Sequence, residues 1–187
     1  MDGLFHTILS GANVGILGLA AAAFALRFFL SDAKSPLAKS ADLVAYASAI
    51  VGLALSVVTA LTGYFGTWAG PAVASSMLLQ NKIMLSLVLF GSWGMFVFLR
   101  KQMGEGLWQN TVAKLWGGAL VVVGFICIGL LGSLGGSAAL KGTAIQGIYA
   151  TFNINRFMPW ELAAWFSILL IVVVLGLTFY SSRQQAK

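Results

Sequence analysis

Residues 4–30 read LFHTILSGANVGILGLAAAAFALRFFL, an apolar run whose only formal charge at neutral pH is Arg27. A helix needs roughly 20 such residues to cross a hydrocarbon core of ~30 Å. Inside lipid every backbone N–H and C=O must find an internal partner, and the run lacks the strict alternation of a barrel strand, so it reads as a membrane-spanning helix. The preceding MDGLFHT carries an acid where a secretory signal would carry lysine or arginine, so this first helix is expected to be uncleaved.

Working outward, four more stretches have the same character: residues 43–67, 82–99, 115–134 and 160–180, the third also compatible with a start near Ser75. Of the 187 residues, 59% are hydrophobic and 9% charged, against about 25% charged in soluble domains. The expected fold is an all-α integral membrane protein, a single membrane domain over residues 1–187 built as a five-transmembrane-helix bundle.

The basic residues act as topology signals. One side receives Arg27, Lys34, Lys39, Arg100, Lys101, Lys114, Arg183 and Lys187, whereas the other receives only Lys82, Lys141 and Arg156. That bias places the N-terminus outside and the C-terminus in the cytoplasm of a multi-pass protein of the cell (plasma) membrane. Tyr64, Trp68 and Trp160 then mark outer ends, and Phe28, Phe29, Trp116 and Tyr180 inner ends. The net charge of +6 is scattered and forms no aromatic-interleaved patch, so nucleic acid is not expected as a partner. Residues 135–159 form the one long connection, an outer segment with Tyr149, Phe152 and Phe157 suited to the membrane face or to docking. LTGYFGTW ends the second span and LLGSLGGS the fourth, a faint repeat that aligns Gly63 and Gly66 with Gly132 and Gly135.

Small residues recur at helical spacing. Gly11 and Gly15 form a GxxxG pair continued by Gly18 and Ala22, while Ser48, Gly52, Ser56, Thr59 and Gly63 follow one face of the second span, and Gly132 and Gly136 repeat the device. In a bilayer, helices associate through close packing at such residues, so these faces are expected to make intrachain or subunit contacts. His6, Ser10 and Asn13 share a face, but Asn13 lies about 10 Å deeper than His6, so the two are not equivalent ligands of one ion. Asn13 is expected to hydrogen-bond a neighbouring helix. His6, the chain's one histidine, is read as an interfacial residue, with cofactor ligation as the alternative.

The chemistry that is missing narrows the choice. Asp2, Asp32, Asp42, Glu105 and Glu161 are read at helix ends or in connections, so no buried carboxylate relay assembles. A single cysteine, Cys127, allows neither an intrachain disulfide nor a Cys-based metal centre. No nucleophile–histidine–acid set and no phosphate-cradling glycine motif is present, and the chain is not expected to be an enzyme by itself.

His6 near the start of the first span, Thr62 and Gly63 late in the second, Gln80 and Asn81 at the third, and Gly132, Gly135 and Gly136 closing the fourth carry a resemblance. Over residues 4–147 the chain resembles a prokaryotic family of four-helix membrane proteins of unknown function, some fused to Rieske iron–sulfur domains, with a fifth helix added here. Family members often carry further histidines where this chain has Ser10 or Gly11 and Asn81; were those histidines to hold haem or metal, this chain would lack the ligands. The Rieske fusions imply work beside electron-transfer machinery, although this chain lacks the two cysteines and two histidines of such a cluster.

The leading expectation is a non-catalytic membrane subunit that scaffolds or stabilises a larger complex of respiratory or other membrane oxidation chemistry, surrounded by bound lipids and other membrane subunits. One alternative is an electron-transfer protein with haem b or quinone at His6. A further alternative is a small-solute channel lined by Asn13, Ser48, Ser56 and Thr59.

Overall fold

The helices start and stop at residues whose side chains or backbone freedom suit the task. The computed structural model describes residues 3–30, 35–67 and 77–138. It contains four long helices, α1 (Gly3–Phe29), α2 (Pro36–Thr62), α3 (Met77–Met103) and α4 (Thr111–Ala138). Ser35 caps α2, its hydroxyl accepting from the Ala38 N–H at 3.2 Å, and Pro36 follows where a missing N–H costs nothing. Asn110 caps α4 in the same way, its Oδ1 accepting from the Ala113 N–H at 3.1 Å. α3 stops at Gly104, whose φ of +55° is the left-handed conformation glycine tolerates, and whose N–H reaches the Arg100 carbonyl at 3.0 Å.

Among the described residues, four helices are long and apolar enough to cross a membrane: Leu4–Phe29, Pro36–Gly66, Leu79–Met103 and Thr111–Gly132. Three helices differ in their bounds from the sequence reading. Helix α2 starts at Pro36 rather than near 43, α3 starts at Met77, close to the alternative start near Ser75, and runs to Met103 rather than 99, and α4 covers 111–138 rather than 115–134. The sequence reading stopped at charged residues, whereas a helical backbone runs on through Lys39, Asp42, Lys82 and Arg100 because their side chains find partners or an interface. A single helical turn, Gly106–Gln109, also fills the connection between α3 and α4. The connection read at 135–159 begins later, because residues 135–138 still belong to α4; its remainder and the span read at 160–180 lie outside the described residues.

Adjacent helices alternate in direction. His6 meets Thr62, Asn13 meets Ser56, and Leu17 faces Gly52, so α1 and α2 keep one antiparallel register along most of their length. The α1–α2 and α3–α4 hairpins make the broadest contacts, and α1–α4 and α2–α3 contacts close the ring into an up-down-up-down four-helix bundle. Its core pairs small with large. Helix α2 contributes Ala38, Ala41, Ala45 and Ala49, whereas α3 contributes Leu89, Trp93 and Phe96. Three glycine notches receive bulky side chains: Gly52 faces Leu17, Gly117 and Gly118 face Phe24 and Phe28, and Gly124 faces Trp93. Outside, Leu4, Leu19, Leu43, Val51, Leu61 and Ile126 are exposed, the apolar exterior a lipid-facing bundle requires.

Candidate functional site

The polar side chains of the bundle gather into two layers, one at each end. At the histidine end, α1 and α2 are tied by His6, whose Nδ1 lies 3.3 Å from the Thr62 hydroxyl. Thr62 turns its own proton to the Thr59 carbonyl at 3.0 Å, and the His6 ring also bonds the backbone of Thr59. The Ser10 hydroxyl donates back to the His6 carbonyl at 2.8 Å, and Lys82 of α3 interacts with His6 electrostatically. Just beyond Thr62, the α-helix widens into a π-helical turn, Gly63–Thr67. A threonine that bonds backward within its own helix favours such local distortion.

Deeper in the bundle, the Asn13 amide donates to the Ser56 hydroxyl at 2.8 Å, and Ser56 donates to the Gly52 carbonyl at 2.8 Å. Both side chains are buried, Asn13 at 7% exposure and Ser56 at 6%. This is the interhelical bond expected of Asn13, and it uses two of the residues a polar channel lining would need. Asn13 Oδ1, Thr59 Oγ1 and Asn81 Nδ2 are buried without a hydrogen-bond partner among the described residues.

What this end can do chemically is limited by its donors. A backbone acceptor on one imidazole nitrogen is the arrangement that fixes the tautomer of a ligating histidine. Among the described residues, however, no group of three His, Cys, Asp or Glu side chains could hold a metal ion.

At the opposite, basic end stands the feature missed by the sequence reading. Asp42 was expected at a helix end or in a connection; it lies inside α2 and is only 7% exposed. Arg100 of α3 donates to it through Nε at 2.8 and 3.1 Å and through its terminal amine, and the Trp108 indole N–H donates at 2.9 Å. A carboxylate holding this many donors is a clamp rather than a proton carrier. It fastens α2 to α3 and to the turn before α4. Removing one partner of a wholly buried pair costs ~3–5 kcal/mol, and the loss is smaller here because Arg100 keeps 19% of its side chain exposed.

Aromatic rings extend the layer to α1. The guanidinium carbon of Arg27 lies 4.6 Å from the centroid of the Trp108 ring, and Arg27 is itself only 5% exposed. Phe24 packs against Trp108 at 5.2 Å and edge-on against Phe96 at 5.4 Å. Lys114 of α4 sits over Phe28 at 4.4 Å, and Arg100 lies 5.8 Å from the Tyr46 centroid. A desolvated cation–π contact recovers about 2 kcal/mol, against an effective penalty of several kcal/mol for burying an ion.

The glycines singled out in the sequence divide into two groups. Gly52 and Gly63 are buried in α2 and its π turn, on the face that also carries Ser56 and the half-buried Thr59. By contrast, a Cβ added at Gly11, Gly15, Gly18 or Gly132 would meet nothing within 4 Å among the described residues. Gly136 lies in the last turns of α4, where side-chain surroundings fall outside the described residues. The notches at Gly117, Gly118 and Gly124 were not anticipated; an aromatic residue at matching depth on a neighbouring helix was the available signal. Compared with known protein families, with characterised proteins and with solved structures, the chain has no match.

Proposed function

We propose that this chain is a non-catalytic integral membrane subunit that scaffolds or stabilises a larger membrane complex, with oxidation or electron-transfer chemistry as the setting suggested by the resemblance over residues 4–147. The observation carrying this reading is the open face of α1. Among the described residues, a Cβ at Gly11, Gly15 or Gly18 would meet nothing within 4 Å, while the described bundle packs through other glycines. Small residues in a bilayer allow a second helix to approach closely, and an unused set leaves room for one from outside the four-helix ring. In this reading the basic end faces the cytoplasm of the plasma membrane and the amino terminus lies outside, following the distribution of lysine and arginine.

Mild detergent extraction from the native membrane, followed by mass-spectrometric identification of co-migrating proteins, tests the proposal. Stoichiometric redox subunits are expected. Gly15→Leu should release them without changing the four-helix bundle, because a Cβ there meets nothing within 4 Å among the described residues. A chain that migrates alone in wild-type form would overturn the subunit reading.

One observation favours a second reading, a haem- or quinone-bearing electron carrier. His6 is oriented through Thr62 and Thr59 as ligating histidines are oriented. The expected signature is a reduced-minus-oxidised haem spectrum that disappears in His6→Ala, or quinone retained by wild type and lost from that variant. Folded protein with neither leaves the subunit reading alone.

A further inference from the structure

Among the described residues, the charges of the basic layer do not balance. Asp42 is the buried carboxylate there, and Arg100 and Trp108 already occupy it. Arg27 is equally buried, yet its described interaction is with the face of Trp108, and no carboxylate among the described residues pairs with it. Stacking satisfies the plane of a guanidinium and leaves its N–H edge, five donors in a fork, still seeking acceptors. Lys114 of α4, over the ring of Phe28, the residue after Arg27, adds a second cation without a described carboxylate. Arg27 stands in the last turn of a span long enough to cross the membrane, the level at which lipid headgroups lie.

We propose that Arg27, stacked on Trp108 and assisted by the charge of Lys114, forms a binding site for the phosphate of an anionic phospholipid at the basic end of the bundle. The phosphate oxygens accept from the guanidinium edge, the pairing for which arginine's planar fork is suited. The acyl chains then lie along the exposed apolar side chains of α1, among them Leu19 and Leu26. Trp108 serves two charges at once, its ring supporting Arg27 while its N–H holds Asp42, so a bound lipid would brace the turn between α3 and α4. This inference does not depend on the subunit reading, since it concerns one chain in a lipid bilayer.

The test uses the full chain in nanodiscs of phosphatidylcholine, with and without phosphatidylglycerol of the same acyl length, reading thermal stability and the lipid retained in native mass spectrometry. The expected result is a higher Tm with phosphatidylglycerol and a preference over phosphatidylcholine of about tenfold. Arg27→Gln should lose both, whereas Lys101→Gln, which removes an exposed cation of the same end, should keep both. Equal losses in the two variants would overturn the site in favour of a diffuse field. Stabilisation by inorganic phosphate in pure phosphatidylcholine would assign the site to a free anion and overturn the lipid.

Asp32 lies outside the described residues and supplies a control. A phosphatidylglycerol effect that appears only in Asp32→Asn would mean that the chain neutralises Arg27 itself, and the proposal fails. If Arg27→Gln does not fold, the wild-type comparison decides alone, because no selectivity for phosphatidylglycerol there also defeats it.

Discussion

Asp42 shows how one side chain can carry several elements. Its carboxylate joins α2 to Arg100 of α3 and to Trp108 of the following turn, and the Trp108 ring passes the connection to Arg27 of α1. Asp42→Ala should therefore destabilise the fold by ~2–3 kcal/mol, less than a wholly buried pair would lose, because the half-buried Arg100 regains some solvent. The double change Asp42→Leu with Arg100→Met should recover most of that loss, apart from about 1 kcal/mol for the orphaned Trp108 donor. Reversible unfolding in detergent micelles measures both, and a double variant no more stable than the single one would refute the clamp. The Asn13–Ser56 bond is a smaller tie. Asn13→Ala and Ser56→Ala should each cost about 1 kcal/mol, and the two together little more than either alone. Additive losses in that cycle would show that the two side chains act separately.

At the scale of helices, packing depends on where a large ring meets a missing Cβ. The indole nitrogen of Trp93 would lie 2.6 Å from a Cβ at Gly124, far inside van der Waals contact, and Trp93 is wholly buried. Gly124→Val should accordingly destabilise the α3–α4 hairpin by about 3 kcal/mol, at the upper end of ordinary overpacking. Gly15→Val on α1, with nothing within 4 Å, should change the stability of the isolated chain by less than about 0.5 kcal/mol. Thermal unfolding of the two variants checks the contrast, and equal losses would mean that these notches do not set the packing. Both glycines sit in apolar sequence and look alike there. The difference lies in rotation about the helix axis relative to a neighbour, which spacing within one helix does not contain.

For the whole molecule, the glycines of α1 that meet nothing among the described residues are the feature on which the proposed association rests. Gly15→Leu is expected to leave the monomer's Tm unchanged while lowering the co-purification of partner subunits several-fold; loss of the fold itself would show that the face is already engaged within the chain. The sequence by itself determined that the chain is helical and apolar enough to cross a membrane, because span length and the need to satisfy backbone groups in lipid are properties of each segment alone. It also singled out Asn13, Ser56 and His6 as polar positions whose roles depend on neighbours. Only the tertiary structure decided which residues those neighbours are. It paired Asn13 with Ser56 and His6 with Thr62, buried Asp42 within reach of Arg100 and Trp108, and set Arg27 on an indole face. The physical reason is that a buried polar group is stabilised by partners far away in the chain, and their arrival is fixed by the register and rotation of packed helices rather than by any local pattern.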